Sequence, residues 1–407
     1  MKRYWRLIAI VTVVVLTVGT FYIQSTLSAS SYPEVVFEKM SGNEEELEPV
    51  VLNGHYSTSS RGMGEGVRVT AEGSNYTGEQ SFFERLQRGF YSQGIKQLQD
   101  KYRGFMRGKG GNIASYFETE NTLAYAEVIN QFIGSSASDM EFDIAVLDKE
   151  SDETTSFTVP VPNRAMYNHA YIEDVQMVDG NLKVISQMYP KNGRGAKYVY
   201  SFDISKQEIN GEEKIAAVEN QNENTRVKIR ILSSSDIKAA HNCVIYEKTE
   251  EPIIRDPERN QTSVTEKPAN KGEKEYVVYN LETGEKKSMK LPEELAGADA
   301  IMYKNATLYL QNENQLTLYN VKTEEVGSQT ELPSQDTAKQ REAHSVLKIA
   351  NGTMYVLATP VGMDQENPQT ITIIDTKSGD VLYKGKIMTK KPLNEGKSLY
   401  FSGMQIK

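Results

Sequence analysis

The chain has 407 residues, of which 38% are hydrophobic and 25% charged, so it can build a packed core and lacks a disordered composition. A net charge of −9 excludes a nucleic-acid footprint, because phosphate contacts need a basic surface. Cys243 is the only cysteine, which excludes an intramolecular disulfide and leaves an exported domain to rely on packing alone.

Lys2, Arg3 and Arg6 precede a stretch without charge, residues 7–33. Its strongly apolar part, LIAIVTVVVLTVGTFYI at 7–23, is near the lower limit for spanning a bilayer, with Tyr4, Trp5 and Tyr22 available to the interfaces. The positive residues predict a cytoplasmic tail over 1–6, a transmembrane signal anchor over 7–28 and an extracytoplasmic domain over 32–407. The localisation expected is therefore a single-pass protein of a bacterial cell membrane. A cleaved signal peptide competes, since Ser28-Ala29-Ser30 offers small residues for cleavage; the apolar core, longer than the usual 7–15 residues, favours the anchor.

Residues 31–78 read as short strands, EVVF, EPVVL and VRVTAEG, with Glu44-Glu45-Glu46 as a solvated turn. The period then changes. Phe82, Phe83, Leu86 and Phe90, then Ile95, Leu98, Tyr102 and Phe105, recur at helical spacing and predict a helical insertion over 79–109, broken near Gly89 and Gly94. Its polar face gathers Arg85, Arg88, Lys96, Lys101, Arg103, Arg107 and Lys109, a local basic excess in an acidic chain. These seven residues are the candidate interaction surface. The plainer expectation is a solvated outer face; the sharper one is contact with anionic lipid headgroups, wall polymer or a protein partner. RGKGG at 107–111 lacks the full phosphate-loop pattern and reads as a helix stop.

From about residue 110 alternation dominates. ITIIDTKSGDVLYKGK at 371–386 places an apolar strand, then Asp and a polar turn, then an alternating strand. Relatives begin at Phe142, Tyr198, Tyr276 and Leu316, and their turn residues are Asp148, Asp203, Asn280, Asn320 and Asp375, spaced by about 57 residues on average. A second hairpin signal precedes most of them, as in ANGTMYVLA at 350–358 and VDGNLKVIS at 178–186. On these motifs the chain resembles β-propeller proteins of the quinoprotein-like and YVTN type over roughly residues 110–390. The resemblance implies a mainly β chain of four-stranded blades, seven by count of strand material, with six as the alternative. It carries no quinone site, because the tryptophan-docking signature is missing. SLYFSGMQI at 398–406 is expected to lend a strand to the first blade. Residues 247–274, rich in Glu, Lys, Pro and Asn, read as a mobile loop within one blade.

Chemistry is sparse. His55, His169, His241 and His344 show no metal-ligand spacing, and Asp375–Asp380 lacks the alternating acids of a calcium loop. Ser235–Lys238 and Ser345–Lys348 match S-x-x-K, but the middle element of that catalytic set is missing. Cys243 reads as a small core residue. No catalytic, cofactor or metal site is assigned, and no cofactor is expected. The function expected is a non-catalytic binding, sensor or accessory module of an envelope complex, with an envelope protein as partner. The alternative is a polysaccharide-active hydrolase or lyase with acidic residues at the propeller channel.

Overall fold

The computed structural model describes residues 12, 32–57, 64–79, 93–129, 139–191, 194–218, 225–232, 237–252, 274–312, 315–331, 344–360, 368–393 and 396–406. Among the described residues the alternating stretches form twenty-five strands in six antiparallel sheets, giving a mainly β fold of the β-propeller class with six blades. The described chain divides into two compact units, Gly94–Gln329 and the two terminal segments Met1–Gln93 with Thr330–Lys407.

In the terminal unit one sheet runs in the order β25-β2-β3-β4, from β2 (Val50–Ser57), β3 (Glu65–Thr70), β4 (Gly73–Tyr76) and β25 (Ser398–Ile406). The other stacks β21 (His344–Ala350), β22 (Thr353–Thr359), β23 (Thr370–Asp375) and β24 (Val381–Thr389), and adds β1 (Val35–Gly42) beside β24. The closing strand thus pairs with β2 as expected, from Val50↔Ile406 to Ser57↔Ser398. The expectation of seven blades is corrected to six. The early strands supply one blade instead of two, because β1 leaves its neighbours to cover the edge of the last sheet, where Val35 faces Thr389. Each chain end is therefore held by the other end's sheet. Tyr32, Tyr56 and Tyr76 seal this core, with Tyr32 stacked on Tyr76 at 4.6 Å.

The central unit holds β5 (Tyr116–Glu118), β6 (Thr122–Ile129), β7 (Glu141–Asp148) and β8 (Glu153–Pro160), then β9 (Tyr167–Val178), β10 (Asn181–Pro190), β11 (Ala196–Asp203) and β12 (Glu208–Ala217). Two more sheets follow: β13 (Thr225–Ile231), β14 (Cys243–Pro252), β15 (Lys274–Asn280) and β16 (Lys286–Met289), then β17 (Asp299–Lys304), β18 (Thr307–Asn312), β19 (Gln315–Asn320) and β20 (Glu325–Glu331). Each is a meander in sequence order. Alternation fixes which face is buried: along β8 every second residue is exposed, while Phe142 and Ile144 of β7 point into a core with Tyr200 and Phe202. Burying such a ring contributes about 2–3 kcal/mol.

All five repeated turns share one geometry. Asp148, Asp203, Asn280, Asn320 and Asp375 each accept, through the side-chain oxygen, the backbone N–H groups two and three residues on. The fourth residue on is left-handed every time: Asp152, Gln207, Gly284, Glu324 and Gly379, with φ from 56° to 80°. The sequence shows glycine in only two copies, yet the backbone keeps the same path in all. ITIIDTKSGDVLYKGK is thus a hairpin, and Lys377-Ser378-Gly379 lies in its turn.

The helical insertion is described from residue 93. It comprises α1 (Gln93–Lys101) and α2 (Arg103–Met106), interrupted at Tyr102, where φ is −126°. Gly94 is the second residue of α1; Phe82, Phe83, Leu86, Gly89 and Phe90 lie outside the described residues. The expected face is confirmed where visible: Ile95, Leu98 and Phe105 are buried against Tyr116, Leu123 and Tyr125. The loop expected over 247–274 is shortened, since β14 runs to Pro252 and β15 starts at Lys274; residues 253–273 lie outside the described residues. The anchor over 7–28 lies outside them too, Thr12 excepted. Among the described residues no helix is long and apolar enough to cross a membrane.

Candidate functional site

The seven basic residues of the insertion separate into groups once placed. Arg85 and Arg88 lie outside the described residues. Lys101 and Lys109 serve the fold. Lys101 reaches back to Glu118 at 3.3 Å. The Lys109 ammonium turns inward over the rings of Phe105, at 4.2 Å, and Tyr125, at 5.3 Å. Burial pushes Lys109 below its ordinary pKa, partly offset by Asp143. Lys96, Arg103 and Arg107 remain exposed, with no carboxylate partner among the described residues. Lys96 lies on α1, Arg103 opens α2 and Arg107 is its extended C-cap, and these three exposed residues make up the basic stripe of α1–α2.

Beside the stripe lies a largely buried carboxylate with three donors. Oε1 of Glu118, on β5, accepts from Tyr102 Oη at 2.7 Å, Lys149 Nζ at 2.8 Å and Lys101 Nζ at 3.3 Å. The Glu118 side chain is only 7% exposed and that of Lys149 13%. Burial alone would raise this carboxyl's pKa. The bonds from Lys149 and Tyr102 and the two ammonium charges outweigh it, so Glu118 titrates below the ordinary range. After α2, Gly108 adopts φ +79° and the chain turns back. Gly110 donates its N–H to Tyr125 Oη at 3.1 Å and accepts from Tyr116 Oη at 2.7 Å. A Cβ at Gly110 would sit 2.6 Å from both Glu127 carboxylate oxygens, so RGKGG is a helix stop that demands close backbone approach.

A second polar cluster escaped the sequence reading. His241 Nε2 lies 2.7 Å from Asp174 Oδ2, and its Nδ1 lies 3.1 Å from the Ala239 carbonyl oxygen. Asp174 Oδ1 accepts from Val175 N–H and Gln176 Nε2, and the His241 N–H donates to Gln176 Oε1. Burial works against the imidazolium, but the Asp174 bond and charge and the Ala239 carbonyl raise the His241 pKa above its ordinary value. Both ring nitrogens thus face oxygen atoms, an arrangement that favours the charged ring, which can donate to both. It ties the segment before β14 to β9, while Glu118 N–H donates to Ile237 O of the same segment. The two partners stand 67 residues apart, and no motif in the sequence links them.

The other histidines stay separate. His169 stacks on Tyr189 at 4.3 Å, His55 is exposed and His344 opens β21. Among the described residues no group of three His, Cys, Asp or Glu side chains can hold a metal. Ser345 lies in strand β21, and Ser235 lies outside the described residues. Cys243 is half-buried instead of fully enclosed, with Sγ 3.0 Å from Tyr303 Oη.

No protein-family model matches the chain, and no curated protein matches it. Among solved structures it is similar to the β-propeller domain of the trilobed protease from Pyrococcus furiosus, at 10% identity and TM-score 0.31, over 85% of this chain and 84% of that one. It is also similar to BamB from Moraxella catarrhalis, at 9% identity and TM-score 0.29, over 70% and 78% of the two chains. For Hsv2 from Kluyveromyces lactis the identity is 10%, the TM-score 0.29 and the coverage 65% and 60%. The fold assignment rests on strand order and register within the six sheets, not on these likenesses.

Proposed function

We propose that this chain is a non-catalytic binding module, held at the outer face of a bacterial membrane by residues 7–28, and that the α1–α2 stripe contacts an acidic envelope protein. One observation carries the reading: Lys96, Arg103 and Arg107 are exposed, with no carboxylate partner among the described residues, in a chain of net charge −9. Exposed cations attract an acidic surface and speed its docking. The tethering of Lys101 and Glu118 beneath them supports a preformed surface.

Co-purification of the full chain in mild detergent tests this. A partner should be retained by the native chain and lost from the K96E/R103E/R107E variant. A chain that emerges alone under every condition and turns over a small molecule would sink the reading, and so would a variant that keeps its partner.

A further inference from the structure

A cleft of about 580 Å³ opens in the central unit between the sheet β13–β16 and the sheet β17–β20. That volume suits a small organic ligand. Its floor is apolar and half-open: Cys243, Val278, Met289 and Val321 are only partly buried against the core, beside the ring of Tyr303. Its rim is charged. Lys287 is neutralised by Glu324 at 2.7 Å. Lys290 and Lys322 are exposed and have no carboxylate partner among the described residues.

The repeated turns explain why this spot differs from its counterparts. Asn280 lines the cleft, and Asn320 caps the turn that carries Lys322 and Glu324. In the other three copies the capping residue is aspartate, at Asp148, Asp203 and Asp375. Asn caps the turn with the same two hydrogen bonds but brings no charge. The two turns flanking the cleft thus lack a charge at the capping position, although Glu285 and Glu324 of the same turns also line it.

We propose that this cleft binds a small anionic amphiphile: a carboxylate, sulfonate or phosphate held by Lys290 and Lys322, with an aromatic or short aliphatic body over Tyr303 and Met289. The site lies apart from the α1–α2 stripe and stands or falls independently of it. Each charge-assisted contact is worth about tenfold in affinity.

The sole thiol of the protein lies at the cleft floor and reports on occupancy. The full chain is titrated with 8-anilinonaphthalene-1-sulfonate and with the neutral N-phenyl-1-naphthylamine, while alkylation of Cys243 by a maleimide is timed. The sulfonate should bind about tenfold or more tightly than the neutral analogue. It should also slow alkylation severalfold. K290E/K322E, two exposed positions, should lose the sulfonate preference while keeping the native circular dichroism; K290Q/K322Q should weaken it in the same direction. Equal affinity for the two probes, unchanged binding by either variant, or alkylation indifferent to the sulfonate would overturn the assignment.

Discussion

Two regions of the central unit handle polar residues in opposite ways. The turns at Asp148, Asp203, Asn280 and Asn320 spend one side-chain oxygen each on two local N–H groups, and they recur from sheet to sheet. The stretch from α1 to β5, with the segment before β14, has no counterpart elsewhere among the described residues. Its polar groups reach across the chain instead, from Glu118 to Lys149 and from Asp174 to His241. Repeated local bonds hold strands in register. The unrepeated long-range ones lock an insertion in place and leave its outward cations exposed.

That contrast predicts an order of effects. Glu118→Ala leaves the Lys149 ammonium with the Thr119 carbonyl but no counter-charge and removes the acceptor of Tyr102, so urea unfolding of the central unit should lose about 3–5 kcal/mol. His241→Ala leaves Asp174 buried without its ring partner and should cost about 1–3 kcal/mol by the same measurement. Asn320→Ala removes only a local pair of bonds and should cost about 1 kcal/mol. If Asn320→Ala cost more than Glu118→Ala, the distinction between local and long-range regions would fail.

Two further outcomes sharpen it. Because the folded pKa of His241 is raised, its contribution is fully present below the unfolded value and is lost as pH rises through the folded one. Stability of the native chain relative to His241→Gln should therefore decline as pH is raised from the acid side of the unfolded His pKa, about 6.5. Gln207 occupies the left-handed position where Gly284 and Gly379 stand in sister turns. Gln207→Gly should raise stability by about 1 kcal/mol, an effect of the size of Asn320→Ala and opposite in sign. A loss there would mean that the turns are not equivalent.

The repeat was legible because its signals are local. Period-two alternation and the Asp or Asn turn residue placed five of the sheets and a hairpin within each, and SLYFSGMQI announced its pairing with the first blade. The blade count was not legible. Nothing in VVFEKMSG tells β1 to join β24 instead of β2; that choice is made by register with Thr389 to Tyr383. The basic residues were visible as a cluster, but which of them face outward depends on Glu118 and on the rings of Phe105 and Tyr125. The Asp174–His241 clamp and the cleft beside Cys243 join residues dozens of positions apart and leave no pattern in a single sequence.

The central claim, an outward basic stripe that meets an acidic envelope protein, is tested most directly by site-specific photocrosslinking in cells. A photoreactive residue is placed at Arg107, and a control is placed at Ser205 in a repeated turn. The account predicts one discrete protein adduct from Arg107 and none from Ser205. Adducts of equal yield from both positions, or no adduct from Arg107, would contradict it.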